Sequence, residues 1–276
     1  MNPHARPPIG LLSLASSLRT HRELIYQMSK REVIGRYKGS ALGLLWSLLT
    51  PLLLLAMYTF VFSVVFAARW GGSSGTNRME FALFLFVGII VHGLLAETMN
   101  RSPTLVLANV SYVKKVVFPL EILPVVGICA SLFHACMSLV VLGLAQALFG
   151  GGLPWTWLWL PLALLPLVVL ALGLSWILSS LGVFIRDIAH PIALLTTVLL
   201  FASPVFYPAS AVPQEYRAWL TLNPLSFVIE QARDVLLSGR APDFAGLAVY
   251  LLVAVAVAWA GYAWFQRTRR GFANVL

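Results

Sequence analysis

Charged residues are distributed very unevenly along this chain. Between Ile122 and Ile185 there is no Asp, Glu, Lys or Arg, and this apolar run is interrupted only by the turn-forming sequence GGGLP at residues 150–154. A single bilayer crossing needs about 20 apolar residues. The run is therefore long enough for two membrane-spanning helices joined by a short connection.

Apolar stretches bounded by charged or Gly- and Pro-rich segments predict six membrane-spanning helices in all. Most Lys and Arg residues fall on the side of the two chain termini, so the positive-inside rule predicts that both termini are cytoplasmic. The predicted spans cover residues 42–66, 79–98, 119–149, 157–183, 190–206 and 244–265. The basic residues placed on the opposite side are Arg69, Arg78, Arg217, Arg233 and Arg240.

The segment before the first span is amphipathic. Apolar residues recur at helical spacing, with basic residues between them, which predicts a helix lying in the membrane interface. For residues 1–10 a basic tail without fixed structure is the alternative. The chain then divides into an N-terminal cytoplasmic segment, 1–40, and a six-helix membrane domain, 41–276. The apolar positions are Leu11, Leu14, Leu18, Ile25 and Met28.

The segment 207–243, before the last span, is long for a loop and contains apolar runs. Pro213 and Pro224 each suit the first turn of a helix, which gives two helices too short to cross a membrane. We predict that they re-enter the bilayer, which requires protein or water to cover their backbone ends. A helical hairpin on the surface is the alternative.

Composition excludes a soluble domain, because 59% of the residues are apolar and only 11% are charged, against about a quarter charged in soluble domains. The net charge of +9 lies mainly on the predicted cytoplasmic side, so anionic lipid explains it without a nucleic-acid partner. The sequence contains neither a phosphate-binding Gly-rich loop nor a metal-ligand cluster. We therefore expect no cofactor in this chain, and active transport would need a partner ATPase.

An enzyme within the membrane is the rival class of function. His92 and His134 lie inside predicted spans, and Ser175 belongs to the sequence GLSW at 173–176, which fits a weak intramembrane serine-protease pattern. An enzyme acting on lipid-linked sugars is the other form of this rival, and alanine at these three positions would abolish its activity. Small residues in membrane helices more commonly serve helix packing, so we expect no catalytic residues.

Aromatic residues line one face of the first predicted span and continue into the second. Flat aromatic rings stack on the C–H-rich faces of sugars, so these residues are candidates for a glycan channel, with ordinary helix packing as the alternative. The candidates are Tyr58, Phe62, Phe66, Phe81 and Phe84.

Several segments, in this order, resemble the ABC-2 type exporter permeases that move O-antigen, teichoic acid and related polysaccharides. They are REVIGRYKGS at 31–40, LGLLWSLLTP at 42–51, VKKVVFPLEILP at 113–124, FIRDIAH at 184–190, SPVFY at 203–207 and NPL at 223–225.

The resemblance implies a homodimeric permease in a bacterial inner membrane, exporting a lipid-linked polysaccharide. Two separate ATP-binding cassette subunits would bind ATP and magnesium and drive it. Positions that would receive motion from these subunits are Glu32, Asn109, Tyr112, Lys114, Lys115, Arg186 and Asp187. Positions at the exit would be Pro213, Trp219, Asn223 and Pro224.

A basic group just before the first span, Arg31, Arg36 and Lys38, is placed to attract the pyrophosphate of a lipid-linked glycan. The alternative is an ordinary positive-inside anchor. Capsule and teichoic-acid exporters, or drug and lipid exporters of the same superfamily, are the other transport functions that fit the sequence.

Overall fold

The computed structural model describes residues 10–65, 78–114, 118–150 and 152–276. These residues form helices and contain no strand, which confirms the all-α prediction. The first helices are α1 (Leu11–Thr20), α2 (Arg22–Tyr37), α3 (Trp46–Tyr58, continued by a π-helix over Thr59–Val65), α4 (Arg78–Arg101), α5 (Val110–Val113) and α6 (Ile122–Phe149). The remaining helices are α7 (Leu160–Phe184), α8 (Ala189–Ala202), α9 (Arg217–Leu222), α10 (Pro224–Leu236), α11 (Phe244–Thr268) and α12 (Phe272–Val275).

Five helical stretches within the described residues are long and apolar enough to cross a membrane, as expected of a multi-pass membrane protein. The fifth predicted span contains α8, whose 14 residues extend about 21 Å, less than the roughly 30 Å of a hydrocarbon core. Six crossings therefore stay a prediction. The five stretches are Gly43–Phe62, Glu80–Thr104, Ile122–Phe149, Trp155–Phe184 and Phe244–Val275.

Helix α4 lies at the centre of the bundle, against α3, α6, α7, α8 and α10. The pair α7 and α11 packs so closely that a Cβ on Gly261 would lie 2.2 Å from the Gly173 carbonyl oxygen. A Cβ on Gly182 would likewise lie 2.0 Å from the carbonyl oxygen of Pro103, just after α4. Small residues thus set the helix separations, as is usual in membrane proteins.

The N-terminal helices α1 and α2 meet at a break at His21 and pack against the membrane domain. Leu14 and Met28, from the predicted apolar stripe, are buried in one cluster with Trp176 and Phe265. Leu18 and Ile25 are partly buried against the same cluster, so four of the five predicted apolar positions contact protein. Placement of these helices in the membrane interface remains a prediction.

Glu121 connects α1 to the C-terminal end of the chain. It accepts a hydrogen bond from Ser17 Oγ at 3.0 Å and pairs with Arg269 at 3.0 Å, while Trp176 Nε1 donates to its backbone carbonyl at 3.0 Å. These contacts lie at the end of the bundle that carries α1 and α2, which we call the α2 end.

Candidate functional site

Three helices exchange charged contacts at the α2 end. Arg36, in the last turn of α2, donates to Glu97 of α4 at 2.6 Å. His134 of α6 places its Nδ1 2.8 Å from the same carboxylate oxygen. Glu97 therefore joins α2, α4 and α6 through a single carboxylate.

Arg101 extends these contacts by one turn of α4. It pairs with Glu32 of α2 and lies 3.6 Å from Glu97. Carboxylates and guanidinium groups thus alternate between α2 and α4, so each positive charge faces a negative one. We call Glu32, Arg36, Glu97, Arg101 and His134 the α2 network.

Tyr37 packs against the α2 network at His134. Its ring meets the His134 ring edge-on, with centroids 6.1 Å apart. Burial raises the pKa of the Tyr37 hydroxyl, nearby Glu97 raises it further, and Arg36 opposes the rise. The phenol therefore stays neutral at physiological pH.

A second contact joins α2 to the segment after α4. Arg31 donates to the Tyr112 hydroxyl at 3.0 Å, and the Tyr112 ring stacks on Phe118 with centroids 4.4 Å apart. Asn109 donates to the Leu105 carbonyl at 2.9 Å and so stabilises this segment internally. Of the predicted coupling residues, Glu32 thus belongs to α2 and Tyr112 contacts it.

The other residues predicted for coupling or substrate binding do not belong to the α2 network. Lys38 and Lys114 are exposed, and Arg186 and Asp187 are exposed in a turn between α7 and α8. Lys115 lies outside the described residues.

The predicted channel aromatics are partly brought together. The Phe62 ring lies 6.3 Å from Tyr58, 5.9 Å from Phe81 on α4 and 5.8 Å from Phe206, which follows α8. Phe84 lies on α4 and is half-buried, and Phe66 falls outside the described residues. Aromatic rings from the first, second and fifth predicted spans thus form one cluster.

The predicted re-entrant pair consists of one exposed and one buried helix. Trp219 of α9 is 72% exposed, whereas nine of the 13 residues of α10 are buried. Pro213 precedes the turn that leads into α9. Only α10 is therefore enclosed by the bundle.

Side chains satisfy the backbone at the start of α10. Asn223 accepts a hydrogen bond from the Leu225 N–H at 2.9 Å and donates to Ser203 Oγ at 2.9 Å. Tyr250 of α11 donates to the Pro224 carbonyl at 2.8 Å.

Backbone carbonyls at the end of α10 also accept hydrogen bonds from side chains. Its Leu236 carbonyl accepts from Gln146 at 2.8 Å and from Trp157 at 2.9 Å, and its Val235 carbonyl accepts from Thr156 at 2.5 Å. This coverage meets the requirement for placing short helices at membrane depth.

Arg233 departs from the sequence-based assignment, which counted it as a charge in an outer loop. It lies on the buried face of α10, is 4% exposed, and donates to the backbone carbonyls of Phe84, Pro204 and Val205. Arg233 lies four residues after Ile229 and three before Leu236, so all three share one face of α10. This spacing was the signal in the sequence that could have predicted its burial.

The residues considered for an intramembrane enzyme have separate partners. Ser175 accepts a hydrogen bond from Ser102 at 2.7 Å, His134 contacts Glu97, and His92 Nε2 lies 2.9 Å from the Thr196 carbonyl. Among the described residues, no hydrogen bond joins Ser175 to a histidine. The geometry therefore gives no support to a serine–histidine pair.

The fold and these contacts define a helical, multi-pass membrane protein whose N-terminal helices dock on its spans. The chain belongs to the ABC-2 type transporter family, whose model matches residues 23–237.

Relatives cover nearly the whole chain. It is 29% identical over 269 residues to the O-antigen export system permease protein RfbA of Myxococcus xanthus, covering 96% of this chain and 99% of the relative. It is 25% identical to a Klebsiella pneumoniae protein of the same name, covering 92% and 95%. It is 23% identical to the polysialic acid transport protein KpsM of Escherichia coli, covering 90% and 95%.

Proposed function

We propose that this chain is the permease subunit of an ABC transporter that exports a lipid-linked polysaccharide, such as O-antigen, across a bacterial inner membrane. Two copies would form the membrane domain, and two separate ATP-binding cassette subunits would bind ATP and magnesium and supply the energy. Family membership and the names of three near-full-length relatives support this proposal.

The proposed coupling to the ATPase rests on the α2 network. An ATPase subunit that presses on α2 would act through Arg36 and Glu97 on α4 and α6, and through Arg31 on Tyr112. Charge-assisted hydrogen bonds are short and strong, so they suit the transfer of a displacement between helices. Both termini would then be cytoplasmic, as the charge distribution indicates.

Six crossings fit the proposal if α8 and the turn after it together make the fifth. Helices α9 and α10 would then return from the outer side before the last span, α11. The side-chain hydrogen bonds at both ends of α10 support this arrangement, because backbone groups at membrane depth must be satisfied by protein.

For the substrate we propose two contacts. Arg31 and Arg36 already bond to Tyr112 and Glu97, so the exposed Lys38 is the group best placed to meet the glycan pyrophosphate. The aromatic cluster around Phe62 would then offer stacking surfaces to successive sugars.

Deletion of this chain in its source bacterium tests the proposal. We expect surface polysaccharide to be lost and lipid-linked glycan to accumulate inside the cell, and plasmid-borne wild type to restore export. Unchanged surface polysaccharide in the deletion strain would refute the proposed function. The glycan that accumulates would distinguish O-antigen from capsule export, and unchanged glycan with lost drug resistance would indicate a drug exporter instead.

Complementation with charge-reversed variants tests the role of Lys38. Lys38→Glu should insert normally but restore little export if Lys38 meets the substrate, whereas a purely topological anchor predicts misinsertion. Lys30→Glu, an exposed lysine on α2, is the matched control and should restore export. Normal export with Lys38→Glu would contradict the substrate contact.

A further inference from the structure

Arg233 is a buried cation whose hydrogen bonds join three parts of the bundle. From α10 its Nη1 donates to the Pro204 carbonyl at 2.6 Å and its Nη2 to the Val205 carbonyl at 2.9 Å, both in the turn after α8. Its Nε donates to the Phe84 carbonyl of α4 at 2.9 Å. Ionisable groups buried within membrane proteins are costly and mark functional positions.

The geometry suits arginine in particular. Two adjacent carbonyls are bound by the planar fork of one guanidinium, which a lysine ammonium cannot reproduce. Gly88 of α4 allows this close approach, because a Cβ at that position would lie 3.1 Å from Arg233 Nη2 and 3.1 Å from Val205 Cα. Helix α4 thus leaves room for the guanidinium and for the turn.

The turn that Arg233 holds also carries an aromatic ring of the candidate channel. Phe206 directly follows Val205 and stacks on Phe62 and Phe201, with centroids 5.8 and 5.5 Å apart. The position of this ring therefore depends on where the turn lies relative to α10.

We propose that Arg233 is a positioning residue of the export path, which fixes the turn after α8 against α10 so that the two move together. Phe206 then keeps its place in the aromatic cluster whenever α10 moves. The consequence for transport rests on the proposed function, whereas the positioning itself does not.

A disulfide between residues 203 and 223 provides an independent tether. Asn223 Nδ2 lies 2.9 Å from Ser203 Oγ, so the Ser203→Cys and Asn223→Cys pair would join the turn to the start of α10. The parent chain carries this pair together with Cys129→Ser and Cys136→Ser, which remove the native thiols. Each Arg233 variant is made in this parent chain. Variant and parent are then compared under reducing and under oxidising conditions.

Arg233→Gln and Arg233→Lys should each slow disulfide formation in the purified complex by about tenfold, which corresponds to losing one charge-assisted hydrogen bond. Under reducing conditions export should fall by a similar factor. Oxidation should restore export to the level of the oxidised parent. Arg240→Gln, which alters an exposed arginine paired with Asp234, is the control and should change neither quantity.

An unchanged rate of disulfide formation in both Arg233 variants would overturn the proposal. So would lost export that oxidation does not restore, because Arg233 would then act by charge or by direct contact with cargo. If the wild-type chain exports no glycan but disulfide formation in the parent still depends on Arg233, the proposed function fails while the positioning role stands. The lysine variant retains the charge and so provides the test if the glutamine variant fails to insert.

Discussion

Replacing Glu97 with glutamine removes the carboxylate at the centre of the α2 network while keeping the size of the side chain. Arg36 and Arg101 would then lie near one another without the negative charge between them, and His134 would face a neutral amide. We expect α2 to separate from α4 and α6 more often in this variant, with the rest of the bundle intact.

The free energy lost in this variant can be gauged from how exposed Arg36 and Glu97 are. A hydrogen bond to a charged group contributes about 1.5–3 kcal/mol when shielded, and an exposed ion pair about 0–1 kcal/mol. The Arg36 side chain is 52% exposed and that of Glu97 20%, so the contact lies between these limits. A loss of about 2 kcal/mol would raise the population with α2 detached about 30-fold.

Labelling of a cysteine on α2 measures this population. Val33→Cys, at a half-buried position, would react with a maleimide in proportion to the fraction of time that α2 is detached. The native thiols Cys129 and Cys136 are replaced by serine. Glu23→Gln is the matched control, because Glu23 is exposed on α2 and accepts a hydrogen bond from Gln27 outside the network.

We expect Glu97→Gln to accelerate labelling about 30-fold and Glu23→Gln to leave it unchanged. ATP hydrolysis by the complex should continue while export falls. Equal labelling rates in the Glu97→Gln variant and its parent would refute the reasoning, because the α2 network would then not hold α2 in place.

Three further changes test other contacts. Gly182→Ala should lower the midpoint of thermal unfolding in detergent, because its Cβ would meet a backbone carbonyl at 2.0 Å, while Gly93→Ala, with nothing within 4 Å, should not. Tyr112→Phe removes the hydroxyl bonded to Arg31 but keeps the ring, and should reduce export about two- to tenfold without slowing ATP hydrolysis, as measured in vesicles. Phe62→Leu should impair glycan export by vesicles yet preserve thermal stability within about 2 kcal/mol, because the leucine remains apolar.

The spans could be predicted from sequence because length and apolar content decide them. The last predicted span, 244–265, begins where α11 begins and ends three residues before Thr268. The fifth predicted span, 190–206, continues four residues beyond the end of α8 at Ala202. Ser203 adopts an extended conformation, which a following proline favours, and the sequence Ser203-Pro204 carried this information.

The docking of the N-terminal helices was harder to predict. An apolar stripe such as Leu14 to Met28 fits a lipid surface and a protein surface equally well, since both are apolar. At the break, His21 leaves the helical conformation and its ring Nδ1 lies 2.8 Å from the Ser17 carbonyl oxygen, a local contact that no periodicity reveals.

The polar contacts between helices could not be predicted, because they join residues far apart in the sequence. His134 was recognised as an ionisable group within a predicted span, but nothing in that span identifies Glu97 or Arg36 as its neighbours. Arg233 was misplaced for a related reason. Charge counting treats every arginine between spans as a loop residue, although the apolar face of α10 includes this one.

Polar contacts carry particular weight here because apolar contacts between helices gain little over contacts with lipid tails. Helix α4 takes part in two such sets, through Glu97 and Arg101 in the α2 network and through the Phe84 carbonyl that Arg233 binds. The thirteen residue steps from Phe84 to Glu97 span about 20 Å of continuous helix. A tilt of α4 imposed at the α2 network would therefore reach the turn after α8 without any rearrangement of α4 itself, as the proposed coupling requires.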